Sequence, residues 1–80
     1  MPFEPYSDVI LTRDLPDSGL CRGDVGTIVD RHPPVRGEEG YSVEFFDMTG
    51  RTIAVVTVPK NALRAPTSAD LPAVRVRKTG

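Results

Sequence analysis

Nowhere in the 80 residues do more than ten pass without a glycine or a proline; the longest interval free of both covers residues 6–15. Proline removes a helical hydrogen bond and glycine gives up backbone order, so this punctuation leaves no room for a long helix. A helical bundle, a doubly wound α/β domain and a transmembrane helix of roughly 20 apolar residues are therefore excluded. Cysteine is scarce as well. Cys21 stands alone, so no intramolecular disulfide can form, whereas a small secreted domain normally depends on several. The cytoplasm is the expected compartment. The opening residues, Met-Pro-Phe-Glu-Pro, lack a basic region and an apolar run, and neither a signal peptide nor a lipid anchor is expected. The length fits one small soluble domain, and such a chain buries only about 60% of its unfolded surface. Little core is left to hollow into a deep cleft, so an enzyme is not expected.

Charge is nearly balanced overall, at minus one, but not along the chain. Residues 1–59 hold ten acids and five arginines, while residues 60–80 hold one acid and five lysines or arginines. An acidic body thus carries a basic C-terminal extension, an asymmetry that bears on partners rather than on fold.

Short apolar runs separated by turn signals recur about every ten residues, the spacing of a small all-β barrel or sandwich. Residues 8–13 read as a first strand, with Val9 and Leu11 on one face and Ile10 on the other. Asp14-Leu-Pro-Asp-Ser-Gly19 is a turn-rich loop whose flanking Leu15 and Leu20 should pin its ends to the core. Gly23-Asp24 turns into a second strand over residues 25–31, in which Val25, Thr27 and Val29 alternate against Gly26, Ile28 and Asp30. Gly26 within it implies a bulge or a close backbone approach. Residues 32–40 form a loop around Pro33-Pro34. Residues 41–46 make a third strand with Tyr41, Val43 and Phe45 on one face. Asp47-Met-Thr-Gly50 is a hairpin loop. Residues 51–58 form a fourth strand, apolar on both faces and so expected to be central or covered on both sides. Residues 59–63 suit one 3₁₀ turn, Arg64 and Ala65 a short closing strand, residues 66–72 a linker, and residues 73–78 an edge strand or a tail that orders on a partner.

These parts describe an all-β, SH3-like five-stranded barrel over residues 8–65, with a linker and basic tail over residues 66–80. The expected inner positions are Val9, Leu11, Val25, Val29, Val43, Phe45, Val56 and Leu63.

Leu20-Cys-Arg-Gly-Asp-Val-Gly-Thr-Ile-Val-Asp30 followed by Gly40-Tyr-Ser-Val-Glu-Phe-Phe-Asp-Met-Thr-Gly50 resembles the strand pair of small KOW-type and SH3-like domains. The order Leu11-Thr-Arg-Asp-Leu-Pro16, Gly23-Asp-Val-Gly-Thr27, Val43-Glu-Phe45, Gly50-Arg-Thr-Ile-Ala-Val-Val56 and Leu63-Arg64 resembles, over about residues 8–65, the bacterial domain of unknown function numbered 4926. That resemblance implies an SH3-like fold and no established activity. It also implies genes encoded beside those of other small proteins, in toxin and antitoxin or similar pairs, and so a protein partner.

Several constellations read more simply as structure. Gly19, Gly23 and Gly26 lack the helix N-terminus and the Lys-Ser/Thr pair of a phosphate loop. Cys21 and His32 could be drawn as nucleophile and base, but nothing in the sequence orients them. Asp24, Asp30, His32, Glu38 and Glu39 match no calcium or zinc spacing. No catalytic residue, metal or cofactor is expected. Phe46, beside Phe45 where the alternation breaks, is either a second-layer core residue, the favoured reading, or an exposed anchor for a protein partner.

The expected function is a non-catalytic protein-interaction module, the antitoxin, immunity or regulatory member of a two-gene pair. Asp14, Asp17, Asp24, Asp30, Glu38 and Glu39 would form an acidic rim covering a basic surface on a partner such as a ribonuclease, with Phe46 as the apolar contact. The alternative is a nucleic-acid-binding accessory protein using Arg31, Arg36 and the tail Arg75-Val-Arg-Lys78. A docking subunit for acidic electron carriers would need a basic barrel, and this one is acidic.

Overall fold

A computed structural model describes residues 2–34 and 37–77; Arg36 and Lys78 of the nucleic-acid reading lie outside them. The fold is all-β. Strands β1 (Asp8–Leu11), β2 (Val25–His32), β3 (Gly40–Phe46), β4 (Thr52–Pro59) and β5 (Leu63–Arg64) form one antiparallel sheet in the order β4-β3-β2-β1-β5. Two single 3₁₀ turns, Pro16–Ser18 and Lys60–Ala62, interrupt the connections. The second sits where the Pro59-to-Leu63 spacing predicts it.

Turn chemistry sets the corners. The Asp47 carboxylate accepts hydrogen bonds from the Thr49 N–H (2.9 Å), the Thr49 hydroxyl (2.7 Å) and the Arg51 N–H (3.0 Å), which folds the β3–β4 hairpin around one side chain. Leu15 and Leu20 pair across the first 3₁₀ turn, and Leu20 is buried as its bracketing position predicts.

The core gathers Val9, Leu11, Leu20, Ile28, Tyr41, Val43, Phe45, Val58, Ala62 and Leu63, with Val56 partly buried against it. Strands β1 and β3 thus show the predicted faces; β2 does not. Val25 is 53% exposed and Val29 is only half-buried, while Gly26 and Ile28 point inward. The reason is steric. A β-carbon at Gly26 would stand 2.6 Å from Val43 Cγ1 and 2.9 Å from Phe45 Cε2, so the β2 backbone itself fills that part of the core. Val29, next to the inward Ile28, alternates out of the inner row, and the irregularity in the β2–β3 register between Ile28 and Asp30 then sets Asp30 opposite Ser42 and Arg31 opposite Tyr41.

Strand β4 is also placed differently from expectation. It is an edge strand, with Val55 57% exposed. Residues 56–58 of it line an open cavity of about 260 Å³ together with residues 14–18 of the first 3₁₀ turn and its flank. A loop, rather than a further strand, stands beside its apolar residues.

Beyond β5 the chain is tied back to the strand by one ion pair. Arg64 forks onto Asp70 (Nη1 to Oδ2 2.9 Å, Nη2 to Oδ1 2.8 Å), and the Thr67 N–H donates to the same carboxylate at 2.7 Å. Residues 71–77 then run outside the sheet, so the alternation of Val74 and Val76 with Arg75 and Arg77 makes no strand among the described residues.

Gly26→Ala should destabilise the domain by about 1 to 3 kcal/mol through overpacking, whereas Val25→Thr should stay within about 0.5 kcal/mol. Urea denaturation of the two variants checks this, and a costlier Val25 change would contradict the β2 register.

Candidate functional site

The six acids predicted to form one rim divide into two groups at opposite ends of β2. Asp14, Asp17 and Asp24 lie in the β1–β2 connection, and Asp30, Glu38 and Glu39 at the β2–β3 hairpin. Asp24 and Asp30, six residues apart along β2, stand about 20 Å from each other at about 3.3 Å per residue.

Most of these carboxylates have structural work inside the domain. Glu39 Oε2 accepts hydrogen bonds from Arg31 Nε at 2.6 Å and from the Tyr41 hydroxyl at 3.0 Å, and Oε1 lies 3.8 Å from Lys60 Nζ. The Tyr41 hydroxyl in turn accepts the Phe3 N–H at 3.0 Å, and the two rings meet edge to face at 5.2 Å. One glutamate therefore satisfies the only polar atom of a fully buried tyrosine side chain and ties the N-terminal segment to β2 and β3. Hydrogen bonding from Arg31 is the main cause that holds the Glu39 carboxyl below its ordinary range. Glu38 Oε1 accepts the Asn61 N–H of the second 3₁₀ turn at 2.9 Å, and Asp30 Oδ1 accepts the Arg31 N–H at 2.9 Å.

The other group is built by a tight turn. The Asp24 N–H donates to the Cys21 carbonyl at 3.0 Å, and Gly23 supplies the positive φ of 93° that the turn requires. Asp24 Oδ2 accepts the Cys21 N–H at 2.8 Å, and Asp14 Oδ1 accepts the Arg22 N–H at 2.8 Å. Both carboxylates are thus aimed by backbone donors. Asp24 is also bound by Arg75 of the tail, a pairing the sequence reading missed because 51 positions separate the residues. Partial burial pushes the Asp24 carboxyl up, but hydrogen bonds from Arg75 and Cys21 outweigh it and leave the carboxyl below its ordinary range.

Phe46 is 42% exposed and lies outside the core. Its position follows from register. Thr27 pairs with Glu44, and continuing that register by two residues sets Val25 opposite Phe46 on the outer face, while Val25 pairs with Ile10 on its other side. Val25 and Phe46 therefore form an exposed apolar row across β2 and β3, with the buried Ile10 beside Val25 and Val55 opposite Glu44 on the same face. Val25 adjoins the Asp24 turn. Met48, 89% exposed, stands at the adjoining hairpin.

Cys21 and His32 lie at opposite ends of β2, and His32 Nε2 shares a hydrogen bond with Ser42 Oγ at 2.8 Å. Among the described residues no three His, Cys, Asp or Glu side chains converge to hold a metal ion, and no helix is long and apolar enough to cross a membrane.

The carboxyls of Asp24, Glu39, Asp47 and Asp70 are all held below their ordinary values, chiefly by hydrogen bonds from arginines, threonine and the backbone. A depressed folded-state value means stabilisation that is complete above the unfolded value of about 4 and is lost as pH falls through the lower folded-state values. The urea midpoint should accordingly stay level from about pH 7 to about pH 5 and drop below about pH 4. Glu39→Gln should lower the plateau and shallow the acid limb; an unchanged profile would deny Glu39 its role.

No curated protein and no solved structure matches this chain. A family model does, over residues 6–65, three-quarters of the sequence and the whole of the sheet. The chain belongs to the family described as Domain of unknown function (DUF4926).

Proposed function

We propose that this chain is a non-catalytic protein-interaction module that covers a basic surface on a partner protein, with the open sheet serving as an SH3-like barrel. The carrying observation is the exposed apolar pair Val25 and Phe46, with Val25 following directly on Asp24. Partly exposed apolar anchors bordered by charge are how protein interfaces combine affinity with steering. Of the predicted contact residues, Phe46 and Asp24 lie at the end of the sheet where β2 begins and β3 ends, and these two, with Asp14 and Asp17 of the β1–β2 connection, are the partner-binding set we favour. Asp30, Glu38 and Glu39 lie towards the other end of β2, where Glu38 and Glu39 serve the second 3₁₀ turn and the buried Tyr41. The barrel reading is supported by five short antiparallel strands, by a single 3₁₀ turn leading into β5, and by the loop beside the free edge of β4. An acidic masking surface suits the antitoxin, immunity or regulatory member of a gene pair acting in the cytoplasm, where the lone thiol of Cys21 stays reduced.

The nucleic-acid alternative draws less support. Two of its basic side chains, Arg31 and Arg75, are already bound to Glu39 and Asp24.

A partner captured from the native host with the full chain as bait provides the test. Phe46→Ala should weaken that complex by about tenfold or more with an unchanged melting temperature. Asp14→Lys with Asp17→Lys should slow association at low salt and have less effect as salt rises. Unchanged affinity in both variants, or tighter binding of a generic RNA oligomer than of any protein, would overturn the proposal.

A further inference from the structure

The acidic corner already has an occupant, and it comes from the far end of the chain. Arg75 lies 51 positions beyond Asp24. Its guanidinium forks onto the carboxylate, Nε to Oδ1 at 2.8 Å and Nη2 to Oδ2 at 2.5 Å, while Nη2 also reaches the Gly19 carbonyl at 3.3 Å. A planar fork on a carboxylate, with a carbonyl for a further N–H, is the recognition geometry of arginine and not of lysine.

The receiving groups are positioned without help from the tail. Asp24 is aimed by the Cys21 N–H. Its turn is fastened to β1 by two backbone bonds, Gly23 N–H to the Leu11 carbonyl at 2.9 Å and Leu11 N–H to the Asp24 carbonyl at 3.0 Å. Gly19 closes the first 3₁₀ turn with its N–H on the Pro16 carbonyl at 3.1 Å. The tail, in contrast, buries little to keep itself in place. Leu71, Val74 and Val76 are all exposed, and residues 71–77 join no strand. An ion pair at the surface is screened by salt and holds a segment only loosely.

A rigid site with a loosely held occupant is a site arranged for exchange. We propose that Asp24 and Gly19 form an arginine-recognition site, and that residues 71–77 are a strap whose Arg75 occupies it until an arginine-bearing segment of a partner protein takes its place. The proposal rests on the reading of the acidic corner as a binding face, and adds the ligand chemistry and its control. The strap lowers the apparent affinity for the incoming segment by the fraction of time it leaves the site open.

The test uses full-length chains and a synthetic peptide of residues 71–80 as the probe, with binding read by fluorescence anisotropy. The chain carrying Arg75→Gln and Arg77→Gln should bind the peptide roughly tenfold more tightly than the unaltered chain, because its own strap no longer competes. Adding Asp24→Asn should abolish the gain; the amide keeps a carbonyl oxygen for the Cys21 N–H, and thermal melting confirms that the fold persists. A peptide with lysine at both arginine positions should bind weakly to the strap-released chain, a comparison that needs no Asp24 variant. The Cys21 amide resonance should shift on release of the strap and return when peptide saturates the site. Equal affinity of the unaltered and strap-released chains, undiminished binding after Asp24→Asn in a folded chain, or equal binding of the lysine peptide would overturn the proposal. No partner enters these measurements, so their failure removes the strap while the capture experiment separately judges the binding face.

Discussion

The close approach of β2 to β3 at Gly26 is the constraint from which the rest of the molecule follows. Because Val43 and Phe45 occupy the space a side chain would need there, the inner face of β2 is fixed at Gly26 and Ile28. Period-two alternation then sends Val25 outward. That placement gives the sheet two apolar faces of different kinds. The inner one is closed by Tyr41, Phe45 and the leucines, and the outer one is a narrow row of Val25 and Phe46, with Val25 next to the Asp24 turn. A shift of β2 by one residue would bury Val25, erase that row and force a β-carbon-free core position onto solvent.

Much of this was legible in the sequence because turn chemistry and alternation act locally. Tyr41, Val43 and Phe45 announce a half-buried strand; Gly23-Asp24, Asp47 to Gly50 and Pro59 to Leu63 announce corners; and each stands where its chemistry requires. Strand β2 was misread because both of its faces carry apolar residues, Val25 and Val29 on one and Ile28 on the other. Only the shape of the opposing strand decides between them. Strand β4 was read as covered on both sides because composition does not reveal an edge: strand order depends on pairings across the whole chain, and its apolar residues lie beside a loop.

The candidate site was legible residue by residue but not as an arrangement. The sequence shows an excess of acids without showing which ones are engaged. Glu39 completes the hydrogen bonding of a buried tyrosine, Glu38 serves the second 3₁₀ turn, and Asp47 shapes a hairpin. Net charge therefore overstates the acidic surface open to a partner. It also conceals the partition of the basic tail, where one arginine is folded back onto the body.

The loop beside the free edge of β4 has a consequence for solubility. From Thr52 to Pro59 the strand has no charged residue, and an uncharged edge with unpaired backbone groups is where one sheet recruits strands from another copy. The loop that carries Asp14 and Asp17 borders the half of this edge formed by residues 56–58. An incoming strand on that side would have to strip water from carboxylates it cannot neutralise. The two aspartates thus stand as gatekeepers of the sheet, making self-association costly.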